Sequence, residues 1–331
     1  MKSGVNICIN NLKPLPPFMG ILIFIVLLFF SCEKKAEDPI IDWDNHQAFK
    51  AQYSISSLNK TTIFSNTGEV VNKVDLREVS GLAESQVNNS TLWAHNDSGN
   101  GNILYLLDKA TGRIKVQYQL KGIENIDWED IEVGPGPIQG VSYIYLGDIG
   151  DNSGDRENAI IYRFKEPAFD GSQEGKLIEL NIDHDALVFT YPGGSRDAET
   201  LLLDHNSNDL YIISKRDLPA RIYVFPFPQD AKKKTKVILV GTIPLFAPVG
   251  GNVNPNGKEI LVKTYDKIFY WQHEKEEPLW KSLSRAPEVA PYNPIEPQGE
   301  AICFDTSGNY FTLSEEVERK EVFLYNYKRI K

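Results

Sequence analysis

The sequence is short of cysteine, histidine and methionine, with three, five and two of them in 331 residues. Cys8 lies in a leader-like segment and Cys32 just behind it. Cys303 is then alone, so no disulfide framework can staple the body. It sits in Ala301-Ile302-Cys303-Phe304 and reads as a small buried hydrophobe. His46, His95, His184, His205 and His273 are scattered, without the spacing of a zinc site. His95 stands near Asp97 and Ser98, but sequence neighbours do not make a triad, and no nucleophile-elbow pattern exists. A net positive charge is missing too. With 35 Lys and Arg against 45 Asp and Glu, the formal charge is −10. That argues against nucleic acid, whose phosphates must be neutralised by cations.

Only one apolar run is long, the 13 residues from Phe18 to Phe30. It is too short to span a bilayer comfortably and fits the core of a signal peptide behind the basic Lys2 and Lys13. The segment Phe29-Phe30-Ser31-Cys32 resembles the lipobox of bacterial lipoproteins, in which the cysteine is acylated and becomes the first residue. Glu33-Lys34-Lys35 resembles the charged segment behind such a lipid. The expectation is a signal peptide over 1–31, a lipidated Cys32, a tether over 32–58 that allows a short helix between Asp42 and Ser54, and a folded body over 59–331. It places the protein in the cell envelope, anchored to the outer membrane on its periplasmic or outer side.

From about residue 60 the pattern becomes regular. Asn125-Ile126-Asp127-Trp128-Glu129-Asp130-Ile131 is the densest stretch, and weaker copies surround Ser80, Glu199, Gly251 and Glu300. Aligning these with Glu129 gives steps of 49, 70, 52 and 49 residues. A period near fifty made of short β-branched and aromatic runs is the signature of an all-β fold, a β-propeller. Five motifs and five following strands, such as Leu92–His95 and Leu210–Ile213, predict five blades. Six remain open, because the 70-residue step and the run Thr61–Phe64 could hold further strands. Leu279–Ser282 reads as the fourth strand of the fourth repeat. The last repeat ends after three strands, and Val70–Leu76 is the natural strand to close the ring.

In such a ring the connection leading into each innermost strand and the connection joining strands two and three share one face. That gathers carboxylates and amides from five stretches at one mouth. Oxygen donors around an axis suit a hard divalent cation such as calcium, and like charges held together otherwise need protons. The metal candidates are Glu129, Glu199 and Glu300, with Asp97, Asp148 and Glu315 beneath them. Asn96, Trp128, Asn152, Arg196, Lys215 and Tyr265 are candidates to hold a ligand. Turn chemistry is the alternative for the Asp, Asn and Gly, and ion pairing is the alternative for the basic residues.

Ser80-Gly81-Leu82, Trp93–Gly99, Asp127–Ile131, Gly147–Asn152, Asp197–Glu199 and Gln298–Ala301 together resemble a family of bacterial envelope propellers. More distantly they are similar to phytase-like, regucalcin-like and strictosidine-synthase-like propellers. The resemblance covers about residues 70–331 and implies a calcium-holding central mouth. It does not supply the dense phosphate-binding set of the phytase-like enzymes. The functional expectation is a ligand-binding envelope lipoprotein. A metal-dependent hydrolase of a phosphate or carboxylic ester is the alternative, and a scaffold for another envelope protein is a third.

Overall fold

The structure, a computed structural model, describes residues 41–331. The expected signal peptide and Cys32 lie outside the described residues. Five sheets, each with a core of four antiparallel strands, follow one another among the described residues. Their first strands are Val79–Glu84, Trp128–Pro135, Ala198–Leu203, Pro248–Val253 and Gly299–Phe304. Each of these touches the next, and the fifth touches the first. The molecule is a five-bladed β-propeller. Glu69–Val74 pairs antiparallel with Val322–Tyr327 and supplies the fourth strand of the last blade, closing the ring.

The long second repeat does not hide a sixth blade. Its extra residues leave the blade, and Leu177–Asn181 runs parallel to Ile114–Lys121 as a fifth strand of blade 1. Thr235–Lys236 and Phe49–Lys50 add short outer strands to blades 2 and 3 in the same way.

Two local expectations are corrected. Leu279–Leu283 is a helical turn behind Pro278, and Glu288–Ala290 is the outer strand of blade 4. Proline pre-sets the backbone for a helix start and cannot donate to a sheet ladder. The segment 41–58 is not a tether and holds no α-helix, only short 3-10 turns at Trp43–Asn45 and Ile55–Ser57. Phe49, Ala51, Tyr53 and Ile55 alternate as an extended chain does, and all four pack on the core shared by blades 3 and 4. Phe49 lies over Gly241, where any Cβ would strike its ring.

Apolar layers fill the space between neighbouring blades. Leu92 and Ala94 of blade 1, for example, meet Cys303 and Leu313 of blade 5 in one buried cluster. At the axis the innermost strands have no further strand to pair with, so their inward N–H groups need other acceptors. Blade 2 supplies them. Asp130 Oδ2 accepts from Leu201 N at 2.9 Å and Gly251 N at 3.1 Å. Glu132 Oε1 accepts from Val253 N at 3.1 Å, and its Oε2 accepts from the Asn252 side chain at 2.9 Å. Asn252 Oδ1 then accepts from Phe304 N at 2.9 Å. One strand's acids thereby tie blades 2, 3 and 4 together, and Asn252 carries the tie to blade 5.

The mouth face is built from ten connections. Five lead into the innermost strands: 75–78, 122–127, 191–197, 244–247 and 291–298. Five join the second and third strands: 97–102, 149–158, 215–219, 265–267 and 315–321. Backbone bonds such as Asp97 N to Glu78 O, 2.8 Å, and Lys215 N to Asp197 O, 2.9 Å, stitch the two sets.

Candidate metal centre at the axial mouth

Each innermost strand carries a register shift at its mouth end. The shifts fall between Val79 and Gly81, Trp128 and Asp130, Ala198 and Thr200, Pro248 and Gly250, and Gly299 and Ile302. A bulge adds an unpaired residue and re-aims its side chain. Ser80, Glu129, Glu199 and Val249 are the single residues skipped by the first four shifts. In the fifth, Glu300 takes that place beside Ala301. In blade 4 the equivalent is therefore Val249, two residues before the expected Gly251. The mouth ring has three carboxylates, from blades 2, 3 and 5, with a serine and a valine between them.

A second ring comes from the ends of the second strands. Asp97, Gly150, Lys215 and Glu315 each donate their N–H to the residue two before the bulge. Tyr265 directly follows the paired Thr264 in blade 4.

Single oxygens of Glu129, Glu199 and Glu300 lie within 4.8 Å of one another, as do those of Asp97, Asp127 and Glu129. Glu129 belongs to both trios. Three oxygens bound to one calcium at about 2.4 Å stand no more than about 4.2 Å apart when evenly spread around it, so trios within 4.8 Å close on an ion with small side-chain movements. Lys215 Nζ is bonded to Glu199 Oε1 and lies 5.4 Å from the Tyr265 ring centre. Tyr265 OH donates to Glu300 Oε1 at 2.8 Å. Ser80 Oγ donates to the Glu129 carbonyl at 2.6 Å. Glu199 Oε2 is buried with no hydrogen-bond partner among the described residues. A buried acceptor left in that state is costly unless a cation or proton meets it.

The electrostatics agree. Burial, then the neighbouring acids, push the Glu129 carboxyl far above its ordinary range, and Glu199 and Glu300 also rise, with Lys215 opposing. Burial raises Asp97 to about 6 and Glu315 to about 7. Asp127 is raised by the same cause. Gly150 is the gap in the second ring. A Cβ there would overlap Glu129 Oε1 and stand 2.5 Å from Asp127 Oδ2, so only glycine leaves these oxygens their places.

Some expected residues are engaged elsewhere. Asp148 is buried and ion-paired with Arg156 at 2.7 Å, and it accepts from Asp127 N at 3.2 Å. It holds the Asp127 loop and lies outside both trios. Glu315 is half-buried on the mouth face and likewise outside them. Trp128 is not at the mouth. Its indole is fully buried, donates to the Glu124 carbonyl at 2.8 Å and meets His95 edge-on. The bulge explains this, because turning Glu129 to the axis sends Trp128 back between the blades. Asn96 is buried beneath its loop, with Oδ1 unpartnered.

Asn152 and Arg196 line a separate cleft of about 300 Å³ between blades 2 and 3, together with Arg216. There Arg216 pairs with Asp197 at 2.5 Å and Arg196 with Asp217 at 3.6 Å. Asp127, Ser80 and Gly150 are additions to the metal and ligand candidates, although Asp127 is among the carboxylates that the sequence brings to the mouth. The signal for Asp127 was its place two residues before Glu129, which Glu78, Asp197 and Gln298 occupy before Ser80, Glu199 and Glu300, with Ala247 before Val249 as the exception.

No protein-family model and no curated protein matches this chain. A solved structure of the Dos1 propeller aligns at TM-score 0.34 and 12% identity, over 76% of this chain and 60% of that one. A Kuenenia stuttgartiensis hydrazine synthase structure aligns at TM-score 0.36 and 13% identity, over 78% of this chain and 65% of that one. The chain thus spans less than two thirds of each.

Proposed function

We propose that this propeller is the ligand-binding body of a cell-envelope lipoprotein and that it holds a divalent cation, calcium, at its axial mouth. The observation that carries the reading is the pair of carboxylate trios sharing Glu129, with Glu199 Oε2 buried and unpartnered. An all-oxygen donor set on rigid strand ends favours calcium over softer metals. When bound, the cation supplies positive charge that neutralises the hub and can accept an oxygen of a ligand. The chain's residues orient it. Lys215 and Tyr265 fix one oxygen each on Glu199 and Glu300, and Gly150 leaves room beside Glu129.

Titration with calcium should raise the melting temperature by about 5 °C at a hundredfold excess over Kd. Gly150→Ala should abolish that response while the protein still folds. A wild-type protein whose melting is indifferent to calcium, magnesium and EDTA would refute the reading. Ester hydrolysis is the second reading, tested with chromogenic phosphate and carboxylic esters. It is less favoured because Arg196 and Arg216 are already committed to Asp217 and Asp197. The lipid anchor is read from the Cys32 motif alone. Cys32→Ala should move the protein from the membrane to the soluble fraction, and continued membrane association would contradict it.

A further inference from the structure

The charge of the molecule is gathered on one face. The ten mouth-face connections with Glu129, Glu199 and Glu300 contain 19 acidic and eight basic residues, a formal −11. Residues 41–331 contain 42 acidic and 31 basic residues, also −11, so the remainder of the body is neutral as a whole. The same loops carry large apolar side chains into solvent. Ile126, Leu218, Phe246 and Ile295 are 49%, 71%, 63% and 58% exposed. Leu218 and Phe246 sit on adjoining loops, tied by Ala247 N to Lys215 O at 3.2 Å and Ala220 N to Leu245 O at 3.3 Å. Apolar tips set in a strongly charged field mark an interaction surface more than a solvated one.

We propose that this face docks a basic polypeptide segment in which lysine or arginine alternates with large apolar residues. Charge complementarity selects the partner. A second copy presenting the same face, an anionic bilayer and a nucleic acid are all repelled by −11, whereas a basic segment is steered in. Leu218 and Phe246 then bury against its apolar groups, and the loop carboxylates meet its cations. The inference rests on the mouth being the working face but not on the cation, since a divalent ion leaves the face at a formal −9.

The test uses short synthetic peptides alternating lysine with leucine, lysine with serine and glutamate with leucine. Their anisotropy is followed on titration with the protein, in EDTA and in calcium. The lysine–leucine peptide should bind, and the other two should bind at least about tenfold more weakly, a difference of about 1.4 kcal/mol. Leu218→Ser with Phe246→Ser should weaken it by about tenfold, with the melting temperature unchanged because both side chains are exposed. Val87→Ser with Ile138→Ser, exposed on turns of the opposite face, should not. Equal binding by the two double variants, or by the lysine–serine peptide, would overturn the proposal. Peptide binding that persists when calcium has no effect on melting would fail the cation reading and leave this one standing.

Discussion

Asp130→Ala is expected to destabilise the propeller by about 3–5 kcal/mol and to lower its melting temperature by roughly 10 °C. Asp130 is fully buried and accepts three backbone N–H groups, from Ile131, Leu201 and Gly251. Two of those donors belong to other blades, on strands with no further neighbour. Alanine would leave all three buried and unpaired, each at about 1–3 kcal/mol, within a total stability of about 5–15 kcal/mol. Asp130→Asn should cost nearly as much. Its amide keeps one acceptor oxygen but turns a second donor toward N–H groups. Calorimetry checks both. If Asp130→Ala melted within 2 °C of the parent, the buried acids of blade 2 would not be what ties the blades at the axis.

That assignment of work was only partly visible beforehand. Glu129, Asp130 and Glu132 look alike in sequence, yet Glu129 faces the mouth while its two neighbours serve the axis. A one-residue bulge separates the roles, and this strand is buried on both faces, so it has no apolar–polar alternation in which the bulge's phase shift could show. The five-blade ring was legible because each inner and second strand is short, apolar and bounded by turn residues. Val70–Leu76 was legible as the closing strand because the last repeat lacked one. The Val249 register was not, because Gly250-Gly251-Asn252 imitated the motif while the structural equivalent is apolar. Trp128 was misplaced for the same reason as Gly251: position relative to the bulge decides which way a side chain points. In the segment 41–58, the alternation of Phe49, Ala51, Tyr53 and Ile55 was present in the sequence. The surface that accepts them belongs to distant blades and was not.

The hub should make stability fall with pH in the absence of divalent cations. Asp97 and Glu315 rise on folding to about 6 and about 7, and Glu129, Glu199 and Glu300 move the same way. A carboxyl whose pKa is raised binds its proton more tightly in the folded state. Its contribution is complete below the unfolded value, about 4, and is lost as pH climbs through the folded value. For Asp97 and Glu315, both partly solvated, screening reduces this to on the order of 2 kcal/mol between pH 4 and pH 7. Calcium should reverse the trend. It competes with protons for the same oxygens, so the rise in melting temperature that it produces should grow from pH 5 to pH 7.5. Glu300→Gln separates this from a purely structural role. It removes one repelling charge and one donor, so the cation-free protein should melt higher at pH 7 while its calcium response shrinks. A protein whose calcium response is flat across this range, or a Glu300→Gln variant that melts lower with its calcium response intact, would mean that the hub carboxylates neither repel one another nor share an ion.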